Sequence, residues 1–277
     1  MVSLLLAVTL QTPSVLCTID DPRINESSGV AASPTYPGVF YTHNDSGDSA
    51  RFFRFDKSGK VTGTFDLRGI QAIDWEDMAA AKVKGISFLY FADVGDNARV
   101  RKSVLIHRLK EPPATDSGSA LGGIETYTLT YPDQARDCEA AFVRPNGEIW
   151  LVTKAREGET VAYSLPAPAK SGNYTLKKMG QLEIKTPGLG GNLVTGADCS
   201  PDGKFIVLRT YSSVLRYEVP QNFSDWVTKQ PQVWPWTIEK QGEAIAFTQD
   251  GKSIITTSEG TPFRVSIAAL SHGKSSP

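Results

Sequence analysis

The stretch Asp74-Trp75-Glu76-Asp77-Met78-Ala79 is one of five related phrases in this chain of 277 residues. Each phrase begins with acidic or hydroxyl side chains and continues into small apolar residues. The other four are Asn25-Glu26-Ser27-Ser28-Gly29-Val30-Ala31, Asp137-Cys138-Glu139-Ala140-Ala141-Phe142, Val194-Thr195-Gly196-Ala197-Asp198 and Gln241-Gly242-Glu243-Ala244-Ile245-Ala246. Self-similarity at such a period is the signature of repeat architectures, including β-propellers.

Turns fix the frame of the repeat. Glu139, Thr195 and Glu243 each lie eight residues before a turn glycine, in Asn-Gly or Asp-Gly pairs that favour β-hairpins. Two segments with the alternating pattern of half-buried strands follow each turn. The anchor residues Ser28, Glu76, Glu139, Thr195 and Glu243 are 48, 63, 56 and 48 residues apart, which suits four-stranded blades. We therefore predict an all-β fold, a single β-propeller with five four-stranded antiparallel blades around a central channel.

The last repeat has little room for an outer strand after Ala269. We expect residues 18–24 to close the ring by supplying that strand, which removes an exposed sheet edge. A six-bladed ring with one degenerate blade is the structural alternative.

The balance of charge argues against a nucleic-acid partner. The chain has 29 basic and 30 acidic residues, a formal charge of −1, and 40% hydrophobic residues. A nucleic-acid-binding surface is strongly basic. No apolar stretch is long enough to span a bilayer, so we expect no membrane span.

The N-terminus predicts export. Residues 1–17 hold an apolar run typical of a signal peptide, although a basic start is missing; a buried first strand is the alternative. Four Asn-X-Ser/Thr sequons begin at Asn25, Asn44, Asn173 and Asn222. We expect a secreted, extracellular glycoprotein with a propeller over residues 18–270 and a polar tail over 271–277. Cys138 and Cys199 are expected to be buried free thiols.

The anchors predict an acidic ring. The first strand of each propeller blade lines the channel, so equivalent residues meet around the axis. Carboxylates this close must stay protonated or share a cation, unless some of them cap backbone groups. Oxygen ligands without Cys or His favour Ca²⁺. The predicted ligands are Glu76, Glu139, Glu243, Asp137, Asp74, Thr195 and Ser28, above an apolar layer formed by the residues two positions after each anchor.

Polar residues after the second strands are expected at the mouth of the same channel. His43 is a candidate general acid or base, Lys154 and Arg209 would hold an anionic group, and Tyr211 would donate a proton or stack on a sugar. For any one of these residues a role in a tight surface turn is the alternative. Trp234-Pro235-Trp236 is either a carbohydrate platform or packing between blades.

The chain resembles a bacterial family of secreted β-propellers with no settled activity. The resemblance covers roughly residues 24–260. It rests on residues 24–31, 43–48, 74–77, 93–97 and 194–198, which read INESSGVA, HNDSGD, DWED, DVGDN and VTGAD. In plan it is similar to calcium-centred propellers such as apyrases and phosphotriester-cleaving enzymes.

Two functions remain open from the sequence. The first is a monomeric extracellular binding or matrix protein with a central Ca²⁺. The alternative is a Ca²⁺-dependent hydrolase or lyase that acts on an anionic sugar or phosphoester. The partner is accordingly an extracellular protein or an anionic carbohydrate or phosphoester. Convergence of the four mouth residues in one pocket favours the enzyme, and their separation favours the binding protein.

Overall fold

The fold is a five-bladed β-propeller. A computed structural model describes residues 8–156, 158–236, 239 and 241–272. The described residues form five sheets, and the first strand of each sheet packs against the first strands of its two neighbours in a closed cycle. The predicted all-β, five-bladed architecture is confirmed, and the six-bladed alternative is wrong. Among the described residues, no helix is long and apolar enough to cross a membrane.

The elements follow one another blade by blade. The N-terminal strands are β1 (Val8–Leu10) and β2 (Ser14–Ile19). Blade 1 contains β3 (Ser27–Ala32), β4 (Val39–Asn44), β5 (Arg51–Asp56) and β6 (Val61–Leu67). Blade 2 contains β7 (Trp75–Val83), β8 (Ile86–Asp93), β9 (Val104–Lys110) and β11 (Glu125–Thr130), and the connection from β9 to β11 forms β10 (Ala120–Leu121). Blade 3 contains β12 (Cys138–Val143), β13 (Ile149–Thr153), β14 (Thr160–Leu165) and β16 (Lys177–Leu182), and the connection from β14 to β16 forms β15 (Gly172–Thr175). Blade 4 contains β17 (Val194–Cys199), β18 (Phe205–Thr210), β19 (Ser213–Glu218), a 3-10 helix (Phe223–Thr228) and β20 (Gln232–Pro235). Blade 5 contains β21 (Gly242–Phe247), β22 (Ser253–Ser258) and β23 (Phe263–His272).

Successive strands within a blade pair antiparallel, with two short exceptions. β10 joins the sheet of blade 1 by pairing in parallel with β6, and β15 joins the sheet of blade 2 by pairing in parallel with β11. Each therefore covers the outer edge of the preceding blade, where backbone groups would otherwise be free to pair with another chain.

The N-terminal segment closes the ring. β2 pairs antiparallel with β23, with Thr18 opposite Arg264 and Ile19 opposite Phe263. The predicted closure is confirmed, although the strand covers residues 14–19 and not 18–24. A cut after Cys17 would remove four of the six residues of β2, in which Cys17 and Ile19 are buried. Residues 1–7 of the predicted signal peptide and 273–277 of the predicted tail lie outside the described residues, and both assignments stay predictions.

Apolar side chains fill the five interfaces between blades. Each of five buried clusters joins two neighbouring blades. Trp234 and Trp236 pack between blades 4 and 5, which supports the packing role over the carbohydrate platform. Cys138 and Cys199 are buried and unbridged, as predicted. The 3-10 helix and β20 were not predicted. β20 ends in Pro235, a residue that weakens a strand pattern but is tolerated at a sheet edge.

Candidate central cation site

A β-bulge stands at every anchor of the sequence repeat. In each inner strand the pairing register slips by one residue at the anchor, which leaves that residue without an opposite partner. The five unpaired residues are Ser28, Glu76, Glu139, Thr195 and Glu243. A bulge re-aims the side chain of its extra residue. The repeat detected in the sequence therefore coincides with the β-bulges of the inner strands, and three of the five unpaired residues, the glutamates, line the central cavity.

The three glutamate anchors line one cavity, as predicted. The central cavity has a volume of about 370 Å³ and lies where the inner strands begin. Its acidic lining residues are Asp45, Glu76, Glu139, Glu243 and Glu259. These carboxylates come from blades 1, 2, 3 and 5, so the cavity exists only because the ring is closed.

The carboxylate of Glu76 lacks a hydrogen-bond partner among the described residues of this cavity. Its residue is 5% exposed, yet no hydrogen bond joins its carboxylate to any described residue. Carboxylate oxygens of Asp45, Asp74 and Glu76 all lie within 4.8 Å of one another. Gly95 leaves room for this cluster, because a Cβ at Gly95 would overlap Glu76 Oε1 and Asp74 Oδ2. Asp45 lies in the HNDSGD segment at residues 43–48 and was not among the ligands predicted from the sequence.

Burial and mutual repulsion raise the pKa values of the cluster. Burial raises the pKa of Glu76 well above its usual value, and Glu139, Asp45 and Asp74 raise it further. Burial also raises the pKa of Asp74 to about 6, with a further contribution from Asp45. The cluster therefore tends to hold protons unless a cation replaces them.

Lys154 neutralises the other side of the cavity. Its Nζ forms a buried ion pair with Glu139 and donates to the Tyr211 hydroxyl at 2.9 Å, and that hydroxyl donates to Glu243 Oε1 at 3.4 Å. Burial lowers the pKa of Lys154, but the carboxylates of Glu139 and Glu243 outweigh burial and raise it. The sequence predicted Lys154 at the mouth of the channel, but its pairing with Glu139 was not predicted.

Ser28, Thr195 and Asp137 have other hydrogen-bond partners. Ser28 Oγ donates to the Glu76 carbonyl oxygen at 2.6 Å, and Thr195 Oγ1 donates to the Gly242 carbonyl oxygen at 3.0 Å. Both hydroxyls thus join neighbouring blades. Asp137 is buried, accepts the Asp96 backbone N–H at 3.2 Å and lines an adjacent cavity. It acts as one of the capping carboxylates that the sequence left open.

The structure does not bring His43 and Arg209 into the central cavity with Lys154 and Tyr211. Both residues are fully buried. The His43 ring packs edge-on against Trp75 at 5.2 Å, and burial lowers its pKa. Arg209 donates to the carbonyl oxygens of Ala244 and Thr257, each at 3.0 Å, and to Glu239 at 2.5 Å. Neither can contact a ligand in the cavity as it stands.

Two further acids lie deeper than the anchors. Asp77 accepts the backbone N–H groups of Met78, Ala141 and Ala197 at 2.8, 2.9 and 3.1 Å. Asp198 accepts those of Cys199 and Phe247, both at 2.8 Å. The apolar layer predicted two residues after the anchors is buried, but these carboxylates interrupt it.

The fold and the site define a propeller with an acid-lined central cavity. No protein-family model and no curated protein matches the chain. Solved structures of similar shape include a gluconolactonase from Xanthomonas campestris, at 13% identity and TM-score 0.46, covering 84% of this chain and 69% of that one. They also include U3-55K, at 9% and 0.51, covering 94% and 98%. The WD40 repeats of RRP9 are similar at 9% and 0.51, covering 95% and 100%. At these identities the likeness shows the propeller fold alone.

Proposed function

We propose that the protein is a secreted, monomeric propeller that binds Ca²⁺ in its central cavity and uses the ion in binding an extracellular ligand. The observation that carries this proposal is the carboxylate of Glu76, which is buried, without a hydrogen-bond partner among the described residues, and next to Asp45 and Asp74. An ionised carboxylate in such surroundings is costly unless a cation or a donor compensates it.

The chemistry of the cluster favours calcium over transition metals. Asp45, Asp74 and Glu76 offer oxygen atoms alone, which suit hard cations. Calcium accepts a flexible number of oxygen ligands and tolerates water in its shell, whereas Mg²⁺ demands near-octahedral geometry. Three carboxylates from two blades, open to a cavity, suit the less demanding ion.

The position of the mouth residues favours a binding role. His43 and Arg209, two of the four candidate catalytic residues, lie away from the cavity. The partner would be an extracellular protein or an anionic carbohydrate that contacts the ion through oxygen atoms.

A Ca²⁺-dependent hydrolase or lyase remains the second candidate, and the contact between Lys154 and Tyr211 favours it. Burial raises the pKa of Tyr211, and Glu243 raises it further, so the hydroxyl keeps its proton near neutral pH. Held by Lys154 at the cavity wall, this hydroxyl is a proton donor for an anionic ligand that the ion would orient. A bound ion would supply charge neutralisation of that ligand.

Calorimetry with Ca²⁺ tests the proposal on protein purified without chelator and then stripped with EDTA. We expect one Ca²⁺ per chain and a dissociation constant raised about tenfold or more by Glu76→Gln, because one of three charged ligands is lost. Glu218→Gln, an exposed glutamate at the far end of β19, is the matched control and should bind as the wild type does. Absence of binding heat and of a thermal shift in the wild type would remove the proposal.

A further inference from the structure

A second cavity adjoins the central one on the same face of the propeller. This side cavity, of about 250 Å³, is lined by Arg99, Arg136, Asp137, Lys154 and Glu159 among others. Lys154 lines both cavities. About eight waters would fill such a volume at liquid density, which suits a single sugar ring and not a macromolecule.

A backbone turn positions Arg99 at the rim of the side cavity. Its backbone lies in the left-handed region, with φ 55°, which is uncommon for a residue other than glycine. Asp96 fixes this turn, because its carbonyl oxygen accepts the Arg99 N–H at 2.8 Å and its carboxylate accepts the N–H groups of Val100 and Arg101. The Arg99 side chain is exposed and ion-pairs with no described residue.

Arg136 adds a charge that its surroundings only partly cancel. Its Nη2 pairs with Asp133 at 2.7 Å, but Lys178 pairs with the same carboxylate at 3.1 Å. Two cations therefore share one anion, and a positive charge is left over beside the side cavity. A guanidinium binds a carboxylate through two parallel hydrogen bonds, so two arginines at one cavity favour an anionic group.

The side cavity also has negatively charged lining residues, and these indicate which class of anionic ligand would bind. Asp137 and Glu159 are hydrogen-bond acceptors in its lining and would repel a compact dianion such as phosphate. A ligand with one carboxylate and several hydroxyl groups satisfies both sets, because its carboxylate meets the arginines and its hydroxyls donate to the carboxylates. Because Lys154 lines both cavities, the hydroxyl groups of such a ligand would lie on the side of the central cavity, where Ca²⁺ would coordinate hydroxyl oxygens.

We propose that the side cavity is the carboxylate-binding subsite for a sugar acid, with Arg99 and Arg136 holding its carboxylate. This assignment rests on the proposed function for the role of the neighbouring cation, and it names the class of ligand that the central site serves.

Calorimetry with sodium glucuronate tests the subsite, with glucose and inorganic phosphate as comparison ligands, each in EDTA and again with saturating Ca²⁺. We expect glucuronate to bind more tightly than either comparison ligand in both conditions. Arg99→Asn keeps a residue that tolerates the left-handed backbone and should weaken glucuronate binding about tenfold, as loss of a charged hydrogen-bonding pair does. Arg264→Gln, an exposed arginine of blade 5, is the matched control and should bind glucuronate as the wild type does.

The outcomes separate the two proposals. Arg99-dependent glucuronate binding without any Ca²⁺ binding supports the subsite and removes the cation site. Ca²⁺ binding with glucuronate no better than glucose, or with Arg99→Asn equal to the wild type, overturns the subsite and leaves the cation site intact. Phosphate binding tighter than glucuronate also overturns the sugar-acid assignment.

Discussion

Glu76 and Asp77 are neighbours in β7, and they show two uses of a buried carboxylate. Asp77 is fully buried and accepts three backbone N–H groups, one each from blades 2, 3 and 4. Glu76 is almost as buried, but its carboxylate has no hydrogen-bond partner in the described part of the chain. A carboxylate held by several backbone donors belongs to the architecture, whereas one left open at a cavity is available to a ligand.

Removal of the two acids should separate these uses most sharply. Asp77→Ala leaves three backbone N–H donors, one in each of three inner strands, without an acceptor. Each unsatisfied donor costs about 1–3 kcal/mol, so we expect the free energy of unfolding to fall by about 5 kcal/mol. Glu76→Ala removes an uncompensated buried acid, and its unfolding free energy in EDTA should equal or exceed that of the wild type. Urea unfolding of both variants measures the difference. Equal losses would mean that Glu76 is as structural as Asp77.

The second test concerns the compensated side of the cavity. Lys154→Met leaves Glu139 buried without its cation, and loss of one partner of a buried ion pair lowers the free energy of unfolding by about 3 kcal/mol. Lys185→Met breaks an exposed pair with Glu183 and should change the free energy by less than about 1 kcal/mol.

Calcium should then act differently on the two proteins. In Lys154→Met a second glutamate lacks a partner, as Glu76 does in the wild type, so Ca²⁺ should raise the thermal midpoint of Lys154→Met more than that of the wild type. Urea unfolding in EDTA followed by thermal melts with Ca²⁺ checks both statements. An equal rise in the two proteins would mean that Glu139 takes no part in the cation site.

The sequence was enough to predict the five-bladed ring and its glutamate anchors, but not which of the candidate site residues face the cavity. The five anchors could be predicted because each β-bulge is encoded by a short local sequence, and that sequence recurs in every blade. His43 and Arg209 lie away from the cavity because glycines on other strands make room for them. A Cβ at Gly29 would overlap the His43 ring, and one at Gly242 would overlap the Arg209 guanidinium. Such a space depends on packing between strands, which no local pattern records.

The pH dependence of the open cluster gives the third test. Burial raises the pKa of Asp74 to about 6 in the folded protein, above its usual 3.8. The folded state therefore binds more protons between these values, and this contribution to stability is complete below about pH 4 and lost as the pH rises through 6. The carboxylates of Glu76 and Asp74 must lose protons to bind an ion, so Ca²⁺ affinity should rise with pH by up to about tenfold per pH unit for each proton released.

Calorimetric titrations at pH 5, 6, 7 and 8 in EDTA-stripped protein measure this dependence, and urea unfolding at the same pH values without Ca²⁺ measures the opposite trend in stability. Glu76→Gln should flatten the rise in affinity, since one of the titrating ligands is gone. A Ca²⁺ affinity independent of pH would place the ion on carboxylates that are already ionised, away from this cluster.

The smallest expected change in stability, and the most specific to the cluster, comes from Gly95→Ala. The added methyl group would overlap carboxylate oxygens of Glu76 and Asp74. Both are ends of flexible side chains that can shift, so the free energy of unfolding should change by about 1 kcal/mol or less, within the range of ordinary single substitutions. Calcium binding should weaken about tenfold, because the oxygens can no longer occupy one coordination shell.

Gly85→Ala controls for the loss of a glycine itself. A Cβ at this turn glycine would meet nothing, but its φ is 84°, so the substitution should reduce stability without reducing Ca²⁺ affinity. If Gly95→Ala bound Ca²⁺ as the wild type does, the open carboxylates of this cluster would not be the ligands, and the contrast between Glu76 and Asp77 would concern solvation alone.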